Sequence, residues 1–258
     1  IELALKDANI PLEQYVNQRT ASLLHSNRSL ERFAYMASHD MKEPLRMVIS
    51  YLQLLEMRSG NALEGDNKEY LDFAEDGAQR MNQLLEAILT YSSLNIKGKP
   101  FEEINLEEVI QGVLKNLEFT IHSEQAEIIR PTLPSLEADK FQLIQLFQNL
   151  ISNALKFQQA GNKPEIYIRV KDQGESYLFS IEDNGIGIPE NYQSKIFQVF
   201  QRLHARNEYP GSGVGLSICR EIVRRHGGKI WVQSLPGQGT TFFFTLNKNA
   251  QPDLILDT

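Results

Sequence analysis

Nine of the 16 glycines lie between Gly185 and Gly239, in short clusters, while the first 95 residues hold only Gly60, Gly65 and Gly77. Glycine weakens helix interiors and serves turns and close backbone approaches. The distribution therefore predicts a helical first part and a loop-rich second part of mixed helix and strand. With 258 residues, 41% of them hydrophobic, the chain can bury a real core in one large domain or two modest ones.

The first part reads as two long helices. Ala34, Met41, Val48 and Leu55 recur every seven residues, and Leu30 and Ala37 fall four before the first two. Taken as a and d, they form a heptad seam from about Leu23 to Leu55, which Leu45 and Leu52 widen. Arg58 to Asn67 reads as a turn. A second helix follows to about Tyr91, with Leu71, Ala78 and Leu85 at a, and Ala74, Met81 and Ile88 at d. Two helices on a short loop make an antiparallel hairpin. One hairpin cannot cover two wide apolar stripes, so pairing of two copies into a four-helix bundle, a homodimer, is expected. A coiled-coil spacer is the alternative.

Asn95 to Pro100 reads as a linker, after which the periods alternate. Leu106 to about Ile121 looks helical and Ala126 to Ile129 like a strand. Asp139 to Phe157 is amphipathic, with Phe141, Ile144, Phe147, Leu150, Ile151, Ala154 and Leu155 on one face and Asp139 as N-cap. Glu165–Val170 and Tyr177–Ile181 form a hairpin turned at Gln173-Gly174. Val214 to His226 is helical and stops at Gly227-Gly228. Lys229–Gln233 and Thr240–Leu246 form a second hairpin. Antiparallel hairpins between helices predict an α+β fold, one helix layer on one mixed sheet. The domains are thus 1–28, a signalling-helix or coiled-coil linker; 29–95, the helical hairpin; 96–100, a linker; 101–247, the sandwich; and 248–258, a flexible tail.

The formal charge of −7 excludes bulk electrostatic binding to nucleic acid or to an anionic membrane. A single cysteine, Cys219, permits no internal disulfide and no cysteine zinc cluster, which fits a reducing compartment such as the cytoplasm. No apolar run approaches the roughly 18–20 residues that span a bilayer. The chain starts at Ile1, so a sensor or membrane anchor upstream of it is expected.

His39 sits in Ser38-His39-Asp40-Met41-Lys42-Glu43-Pro44-Leu45. At an f position its imidazole faces solvent and is available as a nucleophile, with Asp40 able to orient the ring or accept its proton. Pro44 cannot donate to the Asp40 carbonyl, so the helix should kink one turn after His39. Taken alone, a solvated histidine explains the same residue. Asn149 and Asn153 stand four apart on the Asp139–Phe157 helix and share a face, with Lys156 a turn further on. Their neutral amide oxygens suit a Mg²⁺ that keeps waters and takes other ligands from phosphates, and Lys156 can reach a phosphate. Asp183-Asn184-Gly185-Ile186-Gly187 follows a strand. Its carboxylate can accept from the exocyclic amine of adenine, and Gly185 and Gly187 let backbone approach the base. Gly211-Ser212-Gly213-Val214-Gly215 opens a helix, an anion site for phosphates. It lacks the βαβ setting of a dinucleotide fold. Gly237-Gln238-Gly239-Thr240 is a third glycine turn, by itself a hairpin turn before a ligand contact.

These motifs, in this order, resemble the sensor histidine kinases of two-component signalling over residues 13 to 247, and the Ser-His-Asp-x-x-Glu-Pro-Leu-Arg form resembles the phytochrome-type kinases. Asn149–Phe157 looks like the N box, Asp183–Gly187 the G1 box, Ile196–Phe200 the F box and Gly211–Gly215 the G2 box. Gly237–Thr241 looks like the last glycine box. Val16-Asn-Gln-Arg-Thr resembles the signalling helix that joins a PAS, GAF or phytochrome-like sensor to such a kinase. The resemblance implies a dimeric four-helix bundle followed by a Bergerat-type α/β sandwich that binds ATP. It implies His39 as phosphoacceptor and Asp40 as its base, with Arg202 near the γ-phosphate. Asp183 would lie on adenine, with Asn149 and Asn153 on Mg²⁺. Lys156, Gly185, Gly187, Gly211, Gly213, Gly215 and Thr240 would complete the nucleotide site, and Pro189 to Gly211 would be the lid. The phosphoryl group would pass to an aspartate of a response-regulator receiver domain.

Many members of that family carry Thr or Asn four residues after the phosphoacceptor, to position a water for dephosphorylating the regulator. Glu43 stands there, and its charge argues against phosphatase activity. Two rivals remain: an ATPase clamp of the gyrase kind, which would need a transducer domain after the nucleotide site, and a degenerate scaffold, which would have lost Asn153, Asp183 or the glycines.

Overall fold

The computed structural model describes residues 19, 36–38, 40–58, 67–74, 77–79, 81–82, 85, 89, 100–199, 201, 203, 209 and 213–250. The chain divides into two compact units, Ile1–Ile96 and Lys97–Thr258.

In the first unit, helix α1 is described at 36–38 and 40–58, and helix α2 at 67–74, 77–79 and 81–82. Residues 40–58 stay helical through Pro44. Ser38, Leu45 and Ala78 are buried and Ile49 and Leu52 half-buried. The seam residues Met41, Val48, Leu55 and Met81 are instead 59, 49, 54 and 52% exposed. The apolar stripe of α1 thus has two faces, one through Ser38, Leu45 and Leu52 that is covered and one through Met41, Val48 and Leu55 that is exposed. His39 lies outside the described residues, as do residues 59–66 of the turn expected from Arg58 to Asn67, whose two end residues are helical, and Asp40 is exposed on α1.

The second unit runs β1 (Glu102–Asn105), α3 (Leu106–Asn116), α4 (Glu118–Ser123), β2 (Glu127–Ile129), β3 (Ser135–Ala138), α5 (Lys140–Lys156), β4 (Glu165–Asp172) and β5 (Ser176–Asp183). Then come α6 (Glu190–Gln193), α7 (Gly215–Arg225), β6 (Ile230–Leu235) and β7 (Gly239–Asn247). Five strands form one mixed sheet in the order β2-β4-β5-β7-β6, in which only the β2–β4 pair is parallel. Helix α5 packs between α3 and α7, and β1 and β3 pair apart from the main sheet.

Phe147 of α5 meets the sheet at its centre. Its ring stands edge-on to Phe179 of β5 at 6.0 Å and to Phe244 of β7 at 5.8 Å, and those two stack at 5.1 Å. All three are fully buried. Cutting Phe147 back to alanine removes a keystone of the helix–sheet contact, a change that costs about 3–5 kcal/mol in such cores.

Several expectations are corrected. The buried face of α5 is Leu143, Leu146, Phe147, Leu150, Ile151, Ala154 and Leu155, whereas Phe141 is 62% exposed. Asp139 caps the helix through the N–H groups of Phe141 and Gln142, and this cap sets the first turn so that Phe141 points outward. The helix expected over 106–121 breaks at Leu117, which separates α3 from α4. The β1–β3 pair was not foreseen, because four-residue strands carry little periodicity. Residues 248–250, expected to begin a flexible tail, are held in place. Lys248 donates to the Glu175 carbonyl and accepts from Glu137, its ammonium pairs with Asp172, and Ala250 is buried.

A buried polar cluster holds the start of this unit. Phe101 stacks on His226 at 4.6 Å, and the Arg225 guanidinium lies over Phe101 and 3.1 Å from the Asp139 carboxylate. The Asp139 N–H donates to His226 Nε2 at 3.2 Å and Nδ1 lies 2.7 Å from the Ile222 carbonyl, which assigns the proton to Nδ1. Burial pushes the His226 pKa down to about 4.

Candidate nucleotide site

The C-terminal half of α5, the end of β5, the start of β7 and the N-terminus of α7 surround a cavity of about 260 Å³. Asn149, Asn153 and Lys156 reach it from α5, Asp183 from β5, Gly187 from the loop after it, Gly213 and Gly215 from the start of α7, and Thr240 from β7. These residues, far apart in sequence, share one cavity because α5 crosses the sheet opposite the β5–β7 ladder. Much of the remaining wall is apolar, from Phe157, Ile186, Ile188, Ile196 and Phe242, with Gln201 and Tyr209 beside them. An apolar slot with a few convergent polar groups suits a flat organic ligand.

Asp183 is the last residue of β5, paired with Thr240 across the ladder, and is only 9% exposed. Its carboxylate accepts the Gly185 N–H at 2.9 Å and that of Thr240. Burial outweighs these bonds and pushes its pKa up to about 6. At neutral pH it is an ionised acceptor in an apolar setting, poised to take a donor from a ligand.

The chain's own packing also demands glycine around this turn. A Cβ at Gly185 would lie 2.2 Å from the Phe157 carbonyl, and one at Gly187 2.1 Å from the Leu235 carbonyl. Gly239 would place a Cβ 1.9 Å from the Asp183 carbonyl. The protein's own backbone makes these positions tight, and Gly185 does not line the cavity. The close packing fixes Asp183 between three chain segments. Ile186 donates to the Phe157 carbonyl and accepts from Gly237, while the Ser234 hydroxyl accepts from Ile188 and lies 3.0 Å from the Thr240 hydroxyl.

Asn149 donates its amide to the Gly215 carbonyl at 3.3 Å, tying α5 to the start of α7. Gly213 has φ +72°, a conformation that favours glycine. The Lys156 ammonium stands over the Phe157 ring at 4.6 Å. Among the described residues no cluster of three or more His, Cys, Asp or Glu side chains could hold a metal. On the α5 side of this cavity the oxygen donors are the amides of Asn149 and Asn153. Arg202 and Gly211 lie outside the described residues, as does His39, and Asp40 belongs to the first unit. Motif reading missed the wall residues Ile188 and Phe242, and it named Tyr209 only as part of the stretch expected to be the lid. Phe242 was visible only as an alternating strand residue.

A mixed sheet with helices on one face, a buried strand-end carboxylate and a helix of amides and lysine around one slot define a nucleotide-binding ATPase fold. The family model "Histidine kinase-, DNA gyrase B-, and HSP90-like ATPase" matches residues 138–250, and "His Kinase A (phospho-acceptor) domain" matches 29–95. The phytochrome-like protein Cph1 of Synechocystis is 44% identical over 249 residues, which are 95% of this chain and 33% of that protein. Cyanobacterial phytochrome A of Nostoc is 42% identical over 248 residues, 95% of this chain and 32% of that protein. The crystal structure of histidine kinase ThkA in complex with response regulator protein TrrA matches at TM-score 0.56 and 26% identity, over 86% of this chain and 64% of that one. The chain belongs to the sensor histidine kinase family, in its phytochrome-like group, and spans about a third of the length of these curated relatives. The phosphoacceptor match sets it apart from the gyrase-type ATPases that share the second unit. No helix among the described residues is long and apolar enough to cross a membrane.

Proposed function

We propose that the chain is the ATP-dependent core of a sensor histidine kinase, which phosphorylates His39 and passes the phosphoryl group to an aspartate of a response regulator. The observation that carries this reading is the convergence of Asp183 with the Asn149, Asn153 and Lys156 face on one cavity. Asp183, ionised at neutral pH, accepts the exocyclic amine of adenine. Asn149 and Asn153 offer amide oxygens to a Mg²⁺, and Lys156, leaving the Phe157 ring, pairs with a phosphate. Bound there, Mg²⁺ supplies charge neutralisation along the triphosphate.

His39 attacks the γ-phosphorus with a lone pair of its ring, the bond to the bridging oxygen breaks, and ADP leaves. Asp40 takes the ring proton, and Arg202 and the Gly211–Gly215 turn offset charge in the transition state. The exposed seam Met41, Val48, Leu55 on α1 supports pairing with a second copy. The regulator partner rests on the ThkA–TrrA complex, and an upstream sensor on the phytochrome-like relatives. A reduced cysteine and a need for ATP favour the cytoplasm. Glu43, exposed on α1, disfavours a phosphatase role by repelling a phosphoaspartate.

The test is incubation with γ-labelled ATP and Mg²⁺ of the native chain and His39→Gln side by side. Label stable to base, lost in acid and absent from His39→Gln is expected, with nucleotide affinity unchanged. Label that persists in His39→Gln sinks the assignment.

A further inference from the structure

Tyr209 falls in the stretch from Pro189 to Gly211 that the family resemblance reads as a lid, but it was given no role of its own, and it lines the nucleotide cavity. Its hydroxyl donates to the Gln158 carbonyl at 2.9 Å, and its ring lies 5.1 Å from Phe157 at a tilt of 44°. The residues it rests on are themselves held. Gln158 donates its side-chain amide to the Ala154 carbonyl and accepts from Asn162, which also donates to the Asn184 carbonyl at 3.0 Å. The Phe157 carbonyl accepts from Ile186 and touches Gly185. The support under Tyr209 is therefore tied to the turn that carries Asp183.

An aromatic ring whose polar end is satisfied by backbone offers a flat apolar face to whatever fills the slot. Such a face suits a purine or the C–H edge of a ribose and gives little to a phosphate. We propose that Tyr209 is a nucleotide-contacting residue that forms a wall for the nucleoside part of the ligand, with its hydroxyl bond to Gln158 fixing the ring in place. This rests on the cavity being the ATP site.

The experiment measures dissociation constants of ADP and a non-hydrolysable ATP analogue for the full chain, Tyr209→Leu, Tyr209→Phe and Asp183→Asn. Leucine keeps bulk in a half-buried position, so the fold survives. Tyr209→Leu is expected to weaken both nucleotides by the same factor of about 10, since the contact lies on the part they share. Tyr209→Phe keeps the ring and loses one neutral hydrogen bond, for about a 3-fold effect. The thermal midpoint of the ligand-free chain stays put, which a purely structural role would not allow. Wild-type affinity in Tyr209→Leu beside weakened Asp183→Asn overturns the inference alone. A loss for the ATP analogue but not for ADP would mean a phosphate-side role and also overturns it. Undiminished binding in Asp183→Asn and Tyr209→Leu together sinks the reading of the cavity as well.

Discussion

Replacing Asp183 by asparagine should weaken nucleotide binding and, at neutral pH, make the nucleotide-free chain more stable. Burial holds the Asp183 carboxyl at about 6, against an ordinary 3.8. A raised carboxyl pKa contributes stability that is complete below the unfolded value and is lost as pH rises through the folded one. The gap of about 2 units, at about 1.4 kcal/mol each, is a cost of about 3 kcal/mol at pH 7.5. Asparagine never ionises and escapes it, though its single oxygen is a weaker acceptor for the Gly185 and Thr240 N–H groups, by about 1 kcal/mol. The net gain is about 2 kcal/mol at pH 7.5, and the variant-minus-native difference grows by about 3 kcal/mol between pH 4 and 7.5. His226 runs the other way. Its pKa is held at about 4 in the fold, so its stabilisation is complete above 6.5 and is lost as pH falls toward 4. In the native chain the two slopes nearly cancel across this window, and removing Asp183 uncovers the one from His226. Urea titrations without nucleotide, followed by the fluorescence of Trp231, the single tryptophan, on β6 of the same unit, report the difference. A difference that stays constant with pH would refute the claim that an ionised, desolvated carboxylate sits in the cavity.

Two further outcomes follow from the packing. Gly187→Ala places a Cβ 2.1 Å from the Leu235 carbonyl at a φ of +73°, so the loop after Asp183 must move. A loss of about 2–4 kcal/mol is expected in the same urea titration, with ADP affinity falling too. Val48→Glu sets an unpaired carboxylate in the exposed α1 seam of each copy, and sedimentation should show the dimer shifted toward monomer, its Kd raised at least 100-fold, by about 3 kcal/mol. An unchanged dimer would mean that another face carries the association.

Elements with a strong period or a chemical end signal could be read from the chain. Helix α5 with its Asp139 cap, α7 ending before Gly227, and the two hairpins fall within a few residues of where periodicity and glycine put them. Asp183 at a strand end and the i, i+4 asparagines were visible for the same reason, since each is a local pattern. Elements without a period stayed hidden, as in the β1–β3 pair and the break at Leu117. Tyr209 fell within the expected lid, but no local pattern singled out its ring as a cavity wall.

Local residue order was sufficient for the elements, the heptads and the identity of the polar groups, because these depend on neighbours three, four or seven positions away. Long-range packing set the rest. It turned Phe141 outward, divided the α1 stripe into a face covered within the chain and a face left exposed, and made Gly185, Gly187 and Gly239 obligatory through contact with the protein's own carbonyls. It also raised the Asp183 pKa, for the cost of burying a charge depends on which distant segments exclude water from it.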